Sequence, residues 1–114
     1  MSLQAAKNDA DFTRLLGESL EKPVFLFKHS STCPISAAAW REFKVFMEAH
    51  PDASCYMNLV IEDRPLARKI AADTGIPHAS PQAILFRGGK ASWNASHGDI
   101  SRENLDLAFQ SQTK

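Results

Sequence analysis

Val24-Phe25-Leu26-Phe27, then Ser30-Ser31-Thr32-Cys33-Pro34-Ile35-Ser36, then Ala37-Ala38-Ala39-Trp40-Arg41-Glu42-Phe43-Lys44-Val45-Phe46-Met47-Glu48-Ala49 read in order as a strand, a turn and a helix. The first run is apolar at every position, which suits a strand covered on both faces. The last run carries a helical stripe of Ile35, Ala39, Phe43, Phe46 and Met47. Between them a single cysteine stands where a strand ends and a helix begins. Thr32 is the expected N-cap, and Pro34 fits the first turn, where its missing N–H is not needed. A thiol at that point faces unpaired backbone N–H groups and the positive end of the helix dipole. Both favour the thiolate, which is the nucleophilic form.

The chain outside this stretch sets bounds on fold and partners. Its 114 residues suit one domain, 1–114, with one core. Thirteen Lys and Arg balance thirteen Asp and Glu. No basic surplus points to nucleic acid or an anionic membrane. The N-terminal residues lack the apolar core of a secretory signal, and the longest apolar run is too short to span a bilayer. Two cysteines, Cys33 and Cys55, make neither a disulfide framework nor a metal-ligand spacing. A cytoplasmic, reducing compartment is the expectation, with no metal and no bound cofactor.

Taken in order, Asn8 or Asp9 caps a first helix with a stripe of Phe12, Leu15, Leu16 and Leu20, ended by Pro23. The Val24–Phe27 strand and the Cys33 helix follow, and His50-Pro51 closes that helix. Cys55 to Ile61 reads as a second strand. A third helix starts near Asp63-Arg64-Pro65, buries Leu66, Ile70 and Ala71, and ends at Gly75. A loop, Gly75 to Pro81, leads to the strand Ala83–Phe86. Arg87-Gly88-Gly89-Lys90 is a tight hairpin turn, since paired glycines accept positive φ. Ala91, Trp93, Ala95 and His97 then alternate with polar residues as a half-exposed edge strand. Ser101 caps a last helix. The order is α-β-α-β-α-β-β-α. It predicts a four-stranded mixed sheet flanked by helices, an α/β fold with a right-handed parallel crossover and a terminal antiparallel hairpin.

That order, with a cysteine at the first strand–helix junction, resembles the thioredoxin-like superfamily. Pro81 lies 81 − 33 = 48 residues after Cys33 and just before a strand, similar to the position where that superfamily carries a cis-proline facing its cysteine. The stretches Thr32-Cys33-Pro34-Ile35-Ser36 and Ser80-Pro81-Gln82 resemble the monothiol bacilliredoxins. The resemblance implies reduction of mixed disulfides between proteins and bacillithiol, with that low-molecular-weight thiol as co-substrate. Two departures set the chain apart from ordinary thioredoxins. Ser36 stands where the second cysteine of Cys-x-x-Cys would be, and Phe27 stands where those proteins bury an acid. Both argue against a general dithiol reductase and leave a monothiol enzyme intact.

The candidate site is therefore Cys33 as nucleophile, with Thr32, Pro34 and Ser36 supporting the thiolate. Ser80, Pro81, Gln82 and His78 are expected to meet the substrate, the residue before the proline pairing through its backbone as an added strand. Ser36 cannot resolve a disulfide, because a hydroxyl does not exchange with one. Cys55 is expected to be buried and inert. Lys28 and His29 read as ordinary surface residues, and His97, on the edge strand, is given no role. Expected partners are thiolated client proteins and the small thiol, with no nucleic acid and no membrane, on a monomer or weak homodimer. Two other functions fit the same pattern: a thioredoxin-like adaptor that has lost chemistry, and a monothiol carrier of an iron–sulfur cluster. A proline beside the cysteine disfavours the second.

Overall fold

The computed structural model describes residues 2–111. Four strands and four helices lie where the sequence places them, and one further strand was not legible in it. The elements are β1 (Ser2–Ala5), α1 (Asp9–Glu18), β2 (Val24–His29), α2 (Pro34–Ala49), β3 (Ser54–Leu59), α3 (Arg64–Thr74), β4 (Gln82–Arg87), β5 (Lys90–Ser96) and α4 (Arg102–Gln110), with a 3-10 turn at His97–Asp99 before α4. The sheet has five strands, not four, in the order β1-β3-β2-β4-β5.

The extra strand is β1. Ser2-Leu3-Gln4-Ala5 shows no strand periodicity, and Leu3 is 39% exposed. Backbone pairing makes it a strand: it runs parallel to β3 with Leu3 opposite Cys55, and the Ala6 N–H donates to Met57 O at 2.8 Å. The rest of the topology is as read. β2 lies parallel to β3 and antiparallel to β4, and β4–β5 is a hairpin turned by Gly88 (φ 61) and Gly89 (φ 80).

Alternation along the central strand β2 feeds two cores. Phe25 and Phe27 face α2 and α4 and join Phe43, Phe46, Met47, Leu85 and Leu105. Val24 and Leu26 face α1 and α3 and join Phe12, Leu15, Tyr56, Leu66, Ile70 and Phe86. A strand buried on both faces reads as a continuous apolar run, as this one does.

Several local expectations shift. α1 ends at Glu18, so Leu20 lies outside it and is 68% exposed. The end of α1 is instead fastened to the hairpin turn. The Gly88 N–H donates to Ser19 O (2.7 Å), and the Gly89 N–H donates to Ser19 Oγ (2.9 Å). Ala71 is only partly buried, with Ala67 taking the core position on α3. Ile35, expected in the α2 stripe, is 54% exposed. The buried face of α2 starts at Ser36 and runs on through Ala39, Phe43, Phe46 and Met47, so Ile35 falls one position, about 100°, off that face. Asn8, Gly75 and Ser101 take their expected capping positions; Asn8 Oδ1 accepts from Asp11 N, and Ser101 Oγ from Asn104 N. Among the described residues no helix is long and apolar enough to cross a membrane.

Candidate active site

The end of β2 and the start of α2 place the thiol. Cys33 itself is the N-cap of α2, with an extended backbone (φ −105, ψ 122) and Pro34 next. The cap expected at Thr32 lies one residue further on, so sulfur stands where a hydroxyl oxygen usually does. It makes no side-chain cap hydrogen bond. Thr32 is exposed, and its Oγ1 meets Ser30 Oγ at 3.3 Å. The turn is closed by Cys33 N donating to Ser30 O (3.3 Å) and by Ser30 N donating to Ser36 Oγ (3.3 Å). Ser36 is fully buried, so it does not face solvent from the helix. Cys33 keeps intermediate exposure.

The second loop arrives through β4. Gln82 pairs with Lys28, the last pair between β4 and β2. Ser80 and Pro81 therefore run on past the end of β2, where the Cys33 turn begins. The Ser80–Pro81 bond is cis. Pro81 is buried, and its carbonyl accepts from His97 N at 3.1 Å. His97 holds a positive φ of 55, and so the chain folds back under the proline instead of continuing as strand. Ser80 Oγ is buried without a hydrogen-bond partner among the described residues.

Gln82 has a different surrounding from the one expected. It is 2% exposed. Its Nε2 donates to Pro77 O (3.1 Å) and Ser96 Oγ (3.4 Å), and its Oε1 accepts from Lys28 Nζ (3.2 Å). The side chain thus ties the proline loop to the sheet from beneath, and its polar atoms are engaged within the protein.

Lys28, expected at the surface, is fully buried. The signal was present in β2: positions alternate faces, and Lys28 continues the Val24–Leu26 side of a strand covered on both sides. It sits in register with Asn58 on β3 and Gln82 on β4, and Gln82 faces Ser96 on β5, a polar row across four strands. Asn58 Nδ2 donates to Ala6 O at 3.0 Å. Burial pushes the Lys28 ammonium from 10.5 down to about 8. From about pH 8 to 10.5 the unfolded chain holds a proton that the folded chain has lost, so this residue makes stability rise with pH across that window. Below it the folded state carries the full cost of a desolvated charge. Lys28→Met should therefore flatten that rise, a difference from wild type read by urea unfolding at pH 7.5 and pH 10.

The histidines lie on both sides of the sheet end. His29 stacks on Phe27 (5.5 Å), stands 6.0 Å from Trp40, and has Nδ1 buried without a hydrogen-bond partner among the described residues. Burial lowers its pKa, and Glu62 opposes that. His78 is exposed, and its pKa is lowered by partial burial and then by the charges of Lys28 and Arg64. It is therefore neutral near pH 7, and the positive charges in this region are Lys28 and Arg64.

Cys55 lies in the α2-side core, with no exposed surface. Burial, aided by Glu18, pushes its thiol up to about 12. It pairs with Phe25, four residues before the end of β2. At about 3.3 Å per residue, roughly 13 Å of strand separate it from the turn carrying Cys33. A disulfide needs Cα atoms within about 7 Å, so the two cysteines cannot join without unfolding. Among the described residues no three His, Cys, Asp or Glu side chains gather in a way that could hold a metal ion.

One half-exposed thiol at a helix start, a cis-proline loop at the same end of the sheet and no second thiol in reach agree with what known proteins show. The model of a protein family described as monothiol bacilliredoxin BrxC matches residues 4–105. The chain belongs to the monothiol bacilliredoxin family. A solved structure of thioredoxin fold, provisionally described as an oxidoreductase, is 38% identical, with a TM-score of 0.85 over 93% of this chain and 92% of that one. Reduced Schistosoma mansoni thioredoxin pre-protein matches with a TM-score of 0.76 at 22% identity, over 96% and 97% of the two chains. Fasciola hepatica thioredoxin matches with 0.74 at 14%, over 93% and 95%. The last two show the thioredoxin fold alone. Membership makes this bacilliredoxin a thiol–disulfide oxidoreductase that works with a low-molecular-weight thiol.

Proposed function

We propose that this bacilliredoxin reduces mixed disulfides between cytoplasmic client proteins and bacillithiol through Cys33 alone. The Cys33 thiolate attacks the small thiol's sulfur in the protein–S–S–R bond. The client leaves as a thiolate, and Cys33 carries the R–S group as a new mixed disulfide. A second low-molecular-weight thiolate then attacks that bond, leaves with R as a symmetric or mixed small disulfide, and returns Cys33 to the thiolate. Over the cycle the client sulfur goes from disulfide to thiolate, and the sulfur of the last-attacking small thiol goes from thiolate to disulfide in its place.

The observation that carries this reading is the pairing of one half-buried N-cap thiol with a second cysteine locked in the core, out of disulfide range. Each neighbouring residue has a part. Negative charge on an N-cap sulfur lies at the positive end of α2. Pro34 fixes the first turn, while Thr32 and Ser36 hold the Ser30–Cys33 turn in shape. The backbone of Ser80, next to Pro81, offers an N–H and a C=O to an extended substrate strand. Gln82 acts from below by bracing that loop, and His78 borders the substrate from the loop's outer side. The test is an intact mass spectrum after mixing stoichiometric protein with a bacillithiolated peptide. A bacillithiol adduct on Cys33, with free peptide thiol released, is the expected result. Release of the peptide without any adduct would reject the mechanism.

A further inference from the structure

Arg64, Arg68 and His78 line a cavity of about 240 Å3, floored by Val60, Ile61 and Ala67. No carboxylate lines it. Of the acids nearest in sequence, Asp63 lines a separate cavity with Leu3 and Lys7, and Glu62 is not among the residues that line this one. The ion pairs among the described residues are Asp11–Arg14, His50–Asp106, Lys69–Asp73 and Arg102–Asp106, and neither arginine is in one. Arg64 and Arg68 are four residues apart on α3, so two like charges share one helix face, an arrangement that destabilises a helix unless something anionic lies between them. The buried ammonium of Lys28 adds a third positive charge within electrostatic reach of His78.

Both walls of this cavity are anchored to the segments that flank the thiol. Val60 N–H donates to His29 O at 3.0 Å, at the end of β2 and four residues before Cys33. His78 stands two residues before Ser80–Pro81 on the other loop. The cavity thus opens at the end of the sheet that carries Cys33, outside the carboxyl ends of the parallel strands, where open α/β sheets bind ligands. Its size suits the polar end of a small molecule and not a protein surface. We infer that it is an anion subsite that holds the carboxylate end of a low-molecular-weight thiol while the sulfur meets Cys33. This rests on the reading of Cys33 as a small-thiol exchanger. It makes charge, through Arg64 and Arg68, the basis on which the enzyme selects its thiol.

The test uses one uncharged peptide carrying glutathione, 2-mercaptoethanol or coenzyme A in mixed disulfide, and compares wild type with an R64Q/R68Q double variant. The ratio of the two enzymes on each substrate cancels differences in leaving-group chemistry. We expect kcat/KM for the glutathione adduct, which has two carboxylates, to fall about tenfold, through KM. The neutral 2-mercaptoethanol adduct should be unchanged, which also shows that the variant is folded. The difference should shrink as salt is raised. An equal loss on all three adducts, or no loss on glutathione, overturns the subsite. So does a loss seen only with a coenzyme A adduct, which would assign the cavity to phosphate. An acidic peptide carrying 2-mercaptoethanol is run beside them, and a loss on it would assign the cavity to client proteins and equally overturn the proposal. Failure of the wild type on every adduct is a distinct result and rejects the reading of Cys33 itself.

Discussion

Cys33→Ser is expected to bring exchange down to the uncatalysed background, while Cys55→Ala leaves it nearly intact. The asymmetry comes from where the two sulfurs sit. One is half-exposed at the N-cap of α2; the other is sealed in the core with its thiol pushed up to about 12. Thiolate is the attacking form, so a thiol that stays protonated throughout the physiological range cannot substitute. The sharper expectation concerns the fate of the adduct on Cys33. With Cys55 roughly 13 Å of strand away from the turn, wild-type protein cannot close an internal disulfide, so the adduct should persist until an external thiol arrives. Ser36→Cys places a second sulfur one helical turn from the first and should let the adduct leave unaided, with a loss of two hydrogens. Single-turnover reaction followed by intact mass reads all four proteins. Spontaneous loss of the adduct from wild type, with formation of an internal disulfide, would make Cys55 a resolving cysteine and overturn the monothiol mechanism.

Phe25→Ala should be the most damaging single truncation of the fold. Phe25 is fully buried and meets four other rings: Phe46 at 5.0 Å, Phe43 at 6.1 Å, and Trp93 and Phe109 at 6.2 Å. These rings come from α2, β5 and α4, so one side chain joins three elements to the central strand. Deleting a buried phenyl ring costs about 3–5 kcal/mol, through lost transfer energy and the cavity left behind. Domains of this size have about 5–15 kcal/mol in total. The thermal midpoint should fall by more than about 10 °C. Ile35→Ala is the control, because Ile35 is apolar but 54% exposed on the first turn of the same helix. Its effect should stay within about 0.5 kcal/mol. Equal losses from the two variants in urea unfolding would mean that α2 is rotated relative to the core described.

How far the site was legible can be judged residue by residue. Cys33 was placed by local rules alone: an apolar strand, a proline at the first helical position and a helical stripe beyond it. Such signals lie within one stretch of chain, so they survive in the sequence. The shift of the cap from Thr32 to Cys33 is a one-residue matter decided by how Ser36 takes the Ser30 N–H. Pro81 needed the resemblance as well, since a proline before a strand does not state its isomer. Gln82 was found as a motif residue, but its role differs. Its amide is committed to Lys28, Pro77 and Ser96, and all but Pro77 are on strands brought together only by folding.

The sequence by itself determined the order of the elements from α1 onward, the place of Cys33 at a strand–helix junction and the lack of a second cysteine beside it, because each rests on periodicity, capping or spacing over a few residues. Tertiary structure alone decided the rest. β1 is a strand because β3 offers it a free parallel edge, not because Ser2-Leu3-Gln4-Ala5 prefers one. Lys28 is buried because β2 is central and α3 covers its second face. Arg64, Arg68 and His78 share a cavity because the crossover carrying α3 over the sheet brings its first two turns against the proline loop. A charged side chain has the same local preferences whether it ends in water or beside a substrate, so only the packing of distant segments distinguishes the two.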